Sequence, residues 1–265
     1  MKIKSIGAAI PDKIYPVFAM PFWLIHPRCR PTLIVPSHGI YHIIRKDCDF
    51  WLPSPKAGQQ PCTYDDHGYE RFYKIRRDDI VLDAGAYIGM FTKSVANRCK
   101  KVICIEPFTR NLQCLKNNCK DFNNIQIVPK ALSDRKEKQR LILTKGYSAN
   151  TLVDNVQRPD GSQFNNVGEN YVEVDTLDNI VSELGLKKVD FIKMDIEGGE
   201  IDALKGAEKT LQKTKYIAIA TYHIIDGKKT TDRIQNLLEE NGFVTKVDEE
   251  PMDVTYGWKS TLKKV

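Results

Sequence analysis

Ile80-Val81-Leu82-Asp83-Ala84-Gly85-Ala86-Tyr87-Ile88-Gly89 reads as a buried strand that runs into a glycine turn and then a helix from Phe91 to Arg98. Three apolar residues in a row suit a parallel strand, which is covered by helices on both faces and has no solvent side. Glycine lets the turn bend and lets a ligand approach the main chain without a Cβ in the way. The helix start beyond it offers N–H groups with no partner inside the helix, a setting that receives a carboxylate or a phosphate. The dinucleotide spacing G-x-G-x-x-G does not fit: with its first glycine on Gly85, Tyr87 and Met90 stand where glycines are needed. Asp83, ahead of the glycines, suits a ligand with a cationic end. Taken alone, the turn also fits any strand–helix junction of an α/β protein.

The same texture continues outward. Lys101–Ile105, Ile125–Val128, Val189–Met194 and Tyr216–Ala220 are β-rich apolar runs, and helical patterns cover Arg110–Asp121, Ile201–Gln212 and Thr231–Asn241. This alternation predicts an α/β fold with a mostly parallel sheet and helices on both faces. Residues 144–170, rich in Gly, Asn, Ser and Asp, break the pattern. They read either as a substrate-side lid or as an inert insertion.

Upstream the chain changes character. Nine of the 13 prolines fall within the first 61 positions, a density that disfavours long helices and central strands. Residues 1–75 are therefore expected to form an irregular extension, with Ile40–Ile44 and Phe50–Leu52 as a small hairpin, ahead of a main domain over 76–265. Val17–Ile25 is apolar but short and broken by proline, so it is not expected to cross a membrane. It either packs on the main domain or meets a membrane surface or a partner, and a homodimer through the extension is one expectation.

Net charge is +6 over 265 residues, with Lys and Arg dispersed rather than in runs, which argues against a nucleic-acid footprint. The seven cysteines show no C-x-x-C pair and do not suggest a disulfide framework. Reduced thiols point to a cytoplasmic setting. The five histidines show no zinc-ligand spacing with cysteine or carboxylate, so no metal site is expected.

Beyond the glycine turn, Glu106 lies at the end of the second strand, where an acidic side chain bonds the ribose hydroxyls of a nucleoside; the alternative is an exposed loop glutamate. Lys193-Met194-Asp195-Ile196-Glu197-Gly198-Gly199-Glu200 ends the strand expected beside the first, across the reversal of strand order where ligands bind in open sheets. If that strand continues, Asp195 and Glu197 point the same way. Glu200 reads as a carboxylate favoured at a helix N-terminus. His223, after the Tyr216–Ala220 strand, is either a general base in the same cleft or a structural histidine. Glu70 precedes the first strand and is a further candidate to reach the ligand.

These elements in this order resemble the FkbM family of methyltransferases. The resemblance rests on Val81–Phe91, Ile105-Glu106-Pro107, Pro129–Ser133, Val174–Asp178 and, most specifically, Phe191–Glu200 followed by Leu204-Lys205-Gly206-Ala207. It covers roughly residues 70 to 245. It implies a Rossmann-like sheet of order 3-2-1-4-5-7-6, with Gly242–Val247 and Tyr256–Leu262 as the last hairpin. It also implies S-adenosyl-L-methionine as cofactor, held by Asp83, Gly85, Ala86, Gly89 and Glu106, with Ala131 and Leu132 beside the adenine. Tyr87 stands where the family usually has asparagine, so it either stacks on the cofactor or packs. The implied reaction is methyl transfer to a hydroxyl of a sugar or small metabolite. Asp195 or His223 would be the base, and Lys193 and Glu197 would orient the acceptor. RNA methylation and a non-catalytic cofactor-binding module are the alternatives.

Overall fold

A computed structural model describes residues 33–45, 48–54, 68–250 and 252–260. The apolar stretch Val17–Ile25, and with it most of the expected dimer surface, lies outside these residues. Strands β1 (Leu33–Ser37), β2 (Ile40–Arg45) and β3 (Cys48–Leu52) form an antiparallel sheet. The expected hairpin is present, with one strand more than the sequence suggested. This sheet is fastened to the main body: the Asn118 side chain accepts from the Trp51 N–H at 2.7 Å and donates to the Trp51 carbonyl at 3.0 Å. Ile43 and Leu52 share an apolar cluster with Ile88 and Cys114.

The main body then follows the predicted alternation. β4 (Ile80–Ala84), α1 (Met90–Ala96), β5 (Lys101–Ile105), α2 (Thr109–Asn118) and β6 (Ile125–Val128) build one half. β7 (Ala131–Leu132), β8 (Glu137–Thr144), β9 (Asn166–Asp175) and α3 (Leu177–Glu183) lead into β10 (Val189–Met194). α4 (Glu200–Lys205), α5 (Glu208–Gln212), β11 (Thr214–Ala220), β12 (Ile224–Ile225), β13 (Lys228–Lys229), α6 (Thr231–Glu240), β14 (Phe243–Asp248) and β15 (Val254–Lys259) complete the chain.

Seven strands form the central sheet in the order β6-β5-β4-β10-β11-β15-β14. β15 runs antiparallel to both of its neighbours, and the other pairs from β6 to β11 are parallel. This is the expected 3-2-1-4-5-7-6 arrangement. Strand pleat sends alternate residues to opposite faces, and the cores follow. Leu82, Ala84, Ile103, Ile105, Ile192 and Met194 pack with α3 to α6. Val81, Val102, Cys104 and Phe191 pack with α1 and α2. Among the described residues no helix is long and apolar enough to cross a membrane.

Two expectations are corrected. Ile201–Gln212 is not one helix but two, divided at Gly206-Ala207. Any Cβ on Gly206 would lie 2.3 Å from the Ser133 carbonyl, so the chain passes hard against the segment after β7. The second helix restarts there because the Asp178 carboxylate accepts from the Lys209 and Thr210 N–H groups at 2.9 and 2.6 Å, satisfying donors that a helix start leaves open. The segment 144–170 is also not all loop. Its last five residues belong to β9, which pairs with β8 from Glu137↔Val174 to Thr144↔Asn166, and residues 145–165 form the connection.

Candidate active site

The order of the sheet reverses at β4: the chain goes to β5 and β6 on one side and returns as β10 and β11 on the other. The crevice at the carboxyl ends of β4 and β10 is the place such sheets offer a ligand. Gly85 has φ +76°, and a Cβ there would lie 1.8 Å from the Asp195 carbonyl oxygen. Only glycine allows this approach. The Asp195 N–H donates to the Ala84 carbonyl at 3.1 Å, which fixes the two loop starts against one another.

Two walls of the pocket meet at the ends of β4 and β10. One is made by Gly85, Tyr87, Glu106, Asn111, Ala131 and Leu132; the other by Asp195, Ile196, Glu197 and Gly199. Tyr147, Ser148, Asn150 and Leu152, from the β8–β9 connection, close a third side. Glu106 is buried and accepts from the Tyr87 N–H and the Phe108 N–H, each at 3.0 Å, and from the Asn111 amide at 3.2 Å. Burial pushes its pKa up to about 7 in spite of these donors, so hydroxyl groups offered to it from the pocket would favour its ionised form. Tyr87 stands at φ +51°, a left-handed setting that asparagine tolerates better than tyrosine. Its hydroxyl donates to the Gly146 carbonyl at 3.4 Å, linking the glycine turn to the connection opposite. Asn111 Oδ1 and Asn150 Nδ2 are buried without a partner among the described residues. Both side chains line the pocket, leaving one acceptor and one donor for a ligand.

Several sequence-predicted residues serve the pocket from behind. Asp83 is fully buried, accepts from the Thr92 hydroxyl at 2.6 Å and meets Lys193 Nζ at 3.2 Å. Lys193 in turn donates to the carbonyls of Ala84 and Gly85 at 3.3 and 2.9 Å. Burial works against its charge, but Asp83 and then Asp195 outweigh it and hold its pKa above the usual lysine value. Lys193 thus shapes the glycine turn from behind and is not among the residues that line the pocket, where an acceptor would be oriented. Ala86 packs in the core. Gly89 faces α2, where a Cβ would meet Leu115 at 2.5 Å and Cys119 at 2.9 Å, so its absent side chain serves packing. Glu70 is not brought to the pocket: both its oxygens are held by Arg98 at 3.0 and 2.6 Å, and one accepts from the Ile75 N–H.

The strand does not continue through Asp195. It ends at Met194, and Glu197 and Gly198 take φ +59° and +100°. Both carboxylates nevertheless reach the pocket, because the turn rather than a pleat presents them. Glu200 Oε1 accepts from the Ile196 and Gly198 N–H groups at 2.9 and 3.3 Å, bracing this turn from the first residue of α4. His223 is fully buried, with Nε2 3.1 Å from Glu197 and Nδ1 3.6 Å from Glu200. Burial alone would favour its neutral form, but Glu200 and Glu197 outweigh it and raise its pKa. His223 thus stands behind Glu197 with Nε2 turned to that carboxylate and does not itself line the pocket, a placement that suits the structural reading better than the general base. Asp195 accepts from the Tyr69 and Tyr222 hydroxyls at 3.0 and 3.3 Å. Tyr69 lies 126 residues away in sequence and carried no signal there. Asn111 was legible in principle, as a polar residue on the first turn of α2 beside Glu106; Asn150 was not.

The match to the Methyltransferase FkbM domain runs over residues 83–245. The chain belongs to this family. The chain is 24% identical, over 66% of its length, to the AMB antimetabolite synthetase AmbE of Pseudomonas aeruginosa. It is 28% identical over 53% of the chain to the 2-O-methyltransferase NoeI of Sinorhizobium fredii. The matched segments span 10% and 62% of those two relatives. Among solved structures, the FkbM methyltransferase from Methylobacillus flagellatus KT is 21% identical, with a TM-score of 0.49, over 74% of this chain and 46% of that one.

Proposed function

We propose that the chain is an S-adenosyl-L-methionine-dependent methyltransferase that acts on a hydroxyl oxygen of a sugar or other small polar metabolite. The observation that carries this reading is the meeting of the two pocket walls at Gly85 and Asp195. One wall offers a buried carboxylate and the unpartnered Asn111 Oδ1, the β8–β9 connection adds Asn150 Nδ2, and together they suit a nucleoside, while the other wall offers carboxylates suited to a hydroxyl. Glu106 would hold the ribose, Ala131 and Leu132 the adenine, and the turn at Gly85 the amino-acid end. When bound, the cofactor supplies an electrophilic methyl carbon on a sulfonium that leaves as a neutral thioether.

Asp195 is held by two tyrosine hydroxyls and takes the acceptor's O–H proton as the oxygen lone pair forms the new O–CH₃ bond. Placing the oxygen in line and removing its proton is the work left to the protein. The name of NoeI, a 2-O-methyltransferase, supports an oxygen acceptor. Calorimetry with S-adenosyl-L-methionine, followed by a screen of sugar and polyol acceptors, tests the proposal. Asp195→Asn should retain cofactor binding and lose on the order of 10²–10⁴-fold in rate. Full activity in that variant removes the role of Asp195, and absence of cofactor binding by the wild type removes the function.

A further inference from the structure

Sequence spacing gave no metal site, but folding brings together ligands that lie 26 residues apart. Asp195, Glu197 and His223 each present one potential ligand atom, and these atoms lie within 4.8 Å of one another. An octahedral cation such as Mn²⁺ with ligand distances of about 2.2 Å spans about 4.4 Å between opposite ligands, so side-chain shifts of a few tenths of an ångström would close such a site.

What lies behind the triad argues independently for a ligand. Metal-bound histidines usually give their second ring nitrogen to a carboxylate, and metal-bound carboxylates are themselves hydrogen-bonded. The second support is in place, and a partner for the first stands just out of hydrogen-bond reach, with His223 Nδ1 3.6 Å from Glu200 and unbonded among the described residues. His223 turns Nδ1 toward Glu200, which is fully buried and fixed by two backbone N–H groups. Asp195 receives one tyrosine hydroxyl on each oxygen, and a carboxylate oxygen has a second lone pair for a cation. Glu197 is held at φ +59° by the turn that aims it. His223 is fully buried with Nε2 directed at the triad.

We propose that Asp195, Glu197 and His223 form a divalent-cation site on the acceptor side of the pocket. Two carboxylates and one imidazole suit a first-row cation such as Mn²⁺ or Zn²⁺ better than Ca²⁺, which takes oxygen ligands only. The cation replaces the proton between His223 Nε2 and Glu197. Three protein ligands leave coordination positions open, and Asp195 and Glu197 reach the pocket. Resting on the methyl-transfer reading above, the open positions would take the acceptor hydroxyl and make its proton easier to remove.

The test is metal binding by the full chain, stripped with a chelator and titrated with Mn²⁺ while free Mn²⁺ is read by electron paramagnetic resonance. One Mn²⁺ per chain is expected, displaced by Zn²⁺ but not by Ca²⁺. Affinity should fall at least ten-fold in Glu197→Gln and in His223→Gln, with the fold checked by circular dichroism. The wild type gives a readout that needs no substitution: nitrogen hyperfine modulation of bound Mn²⁺ from the coordinated imidazole. Absence of stoichiometric Mn²⁺ binding, absence of that modulation, or undiminished binding in both folded variants overturns the site. Calorimetry with S-adenosyl-L-methionine on the same samples separates the two proposals. Cofactor binding without Mn²⁺ binding removes the cation site alone; Mn²⁺ binding without cofactor binding removes the methyl-transfer reading alone.

Discussion

Gly85→Ala and Gly161→Ala form a matched pair. Both glycines have φ +76°, yet a Cβ at 85 would lie 1.8 Å from the Asp195 carbonyl oxygen, whereas a Cβ at 161 would meet nothing within 4 Å. An alanine at either position meets the left-handed penalty of ~1–2 kcal/mol. At 85 the carbonyl must also move. Overpacking of a tight site costs ~1–3 kcal/mol, and separating the loop starts strains the Asp195 N–H to Ala84 bond, a further ~1 kcal/mol. Gly85→Ala is therefore expected to lose about 3–6 kcal/mol against about 1–2 for Gly161→Ala. Urea unfolding of both variants gives the difference, and calorimetry should show cofactor binding lost only at 85. Equal stability losses with unimpaired binding would refute the claim that the Gly85–Asp195 approach builds the pocket.

Lys193→Met removes the cation of a fully buried Asp83 and should destabilise by ~3–5 kcal/mol; a loss below about 1 kcal/mol in urea unfolding would contradict the buried pairing. Glu106→Gln keeps shape but loses a charged acceptor, and cofactor affinity should drop about 10–100-fold, the worth of a hydrogen bond to a charged group; unchanged affinity by calorimetry would remove Glu106 from the nucleoside. Asp190 bears on acid stability. Burial raises its pKa, but Lys188, Lys215 and the Ile80 N–H outweigh that and hold it below the usual aspartate value. A depressed folded pKa stabilises above the unfolded value of about 3.9 and is lost as pH falls through the folded one. Asp190→Asn should thus flatten the fall in stability between roughly pH 5 and 2, and an unaltered acid limb would contradict it.

The central strands were legible because burial on both faces leaves an unbroken apolar run: Lys101–Ile105, Ile125–Val128 and Val189–Met194 keep their expected bounds. The β8–β9 pair was not read. β8 carries Glu137, Lys138 and Arg140, six of the ten residues of β9 are exposed in a row, and a 21-residue connection hides any hairpin signal. The pocket residues of the glycine turn, Glu106 and Asp195 came from motif position. The roles of Lys193 and His223 did not, because sequence gives a residue's place along the chain but not which neighbour neutralises it. Asp83 claims the first, and Glu197 with Glu200 the second.

The third wall of the pocket hangs on the β8–β9 hairpin rather than on the seven-stranded sheet. That hairpin meets β7 through two residue pairs, Ala131↔Val174 and Leu132↔Asp175. Doubling the length of a connecting segment costs only ~0.6 kcal/mol in closure entropy, against a total stability of ~5–15 kcal/mol for a domain. The exposed tip of the connection, residues 159–163, can therefore be lengthened or exchanged at small thermodynamic cost, whereas Thr151 and Val156 are buried and hold the rest of it to the body. Exchanging the pocket-lining part, Tyr147 to Leu152, between relatives would test whether this connection sets what the pocket admits.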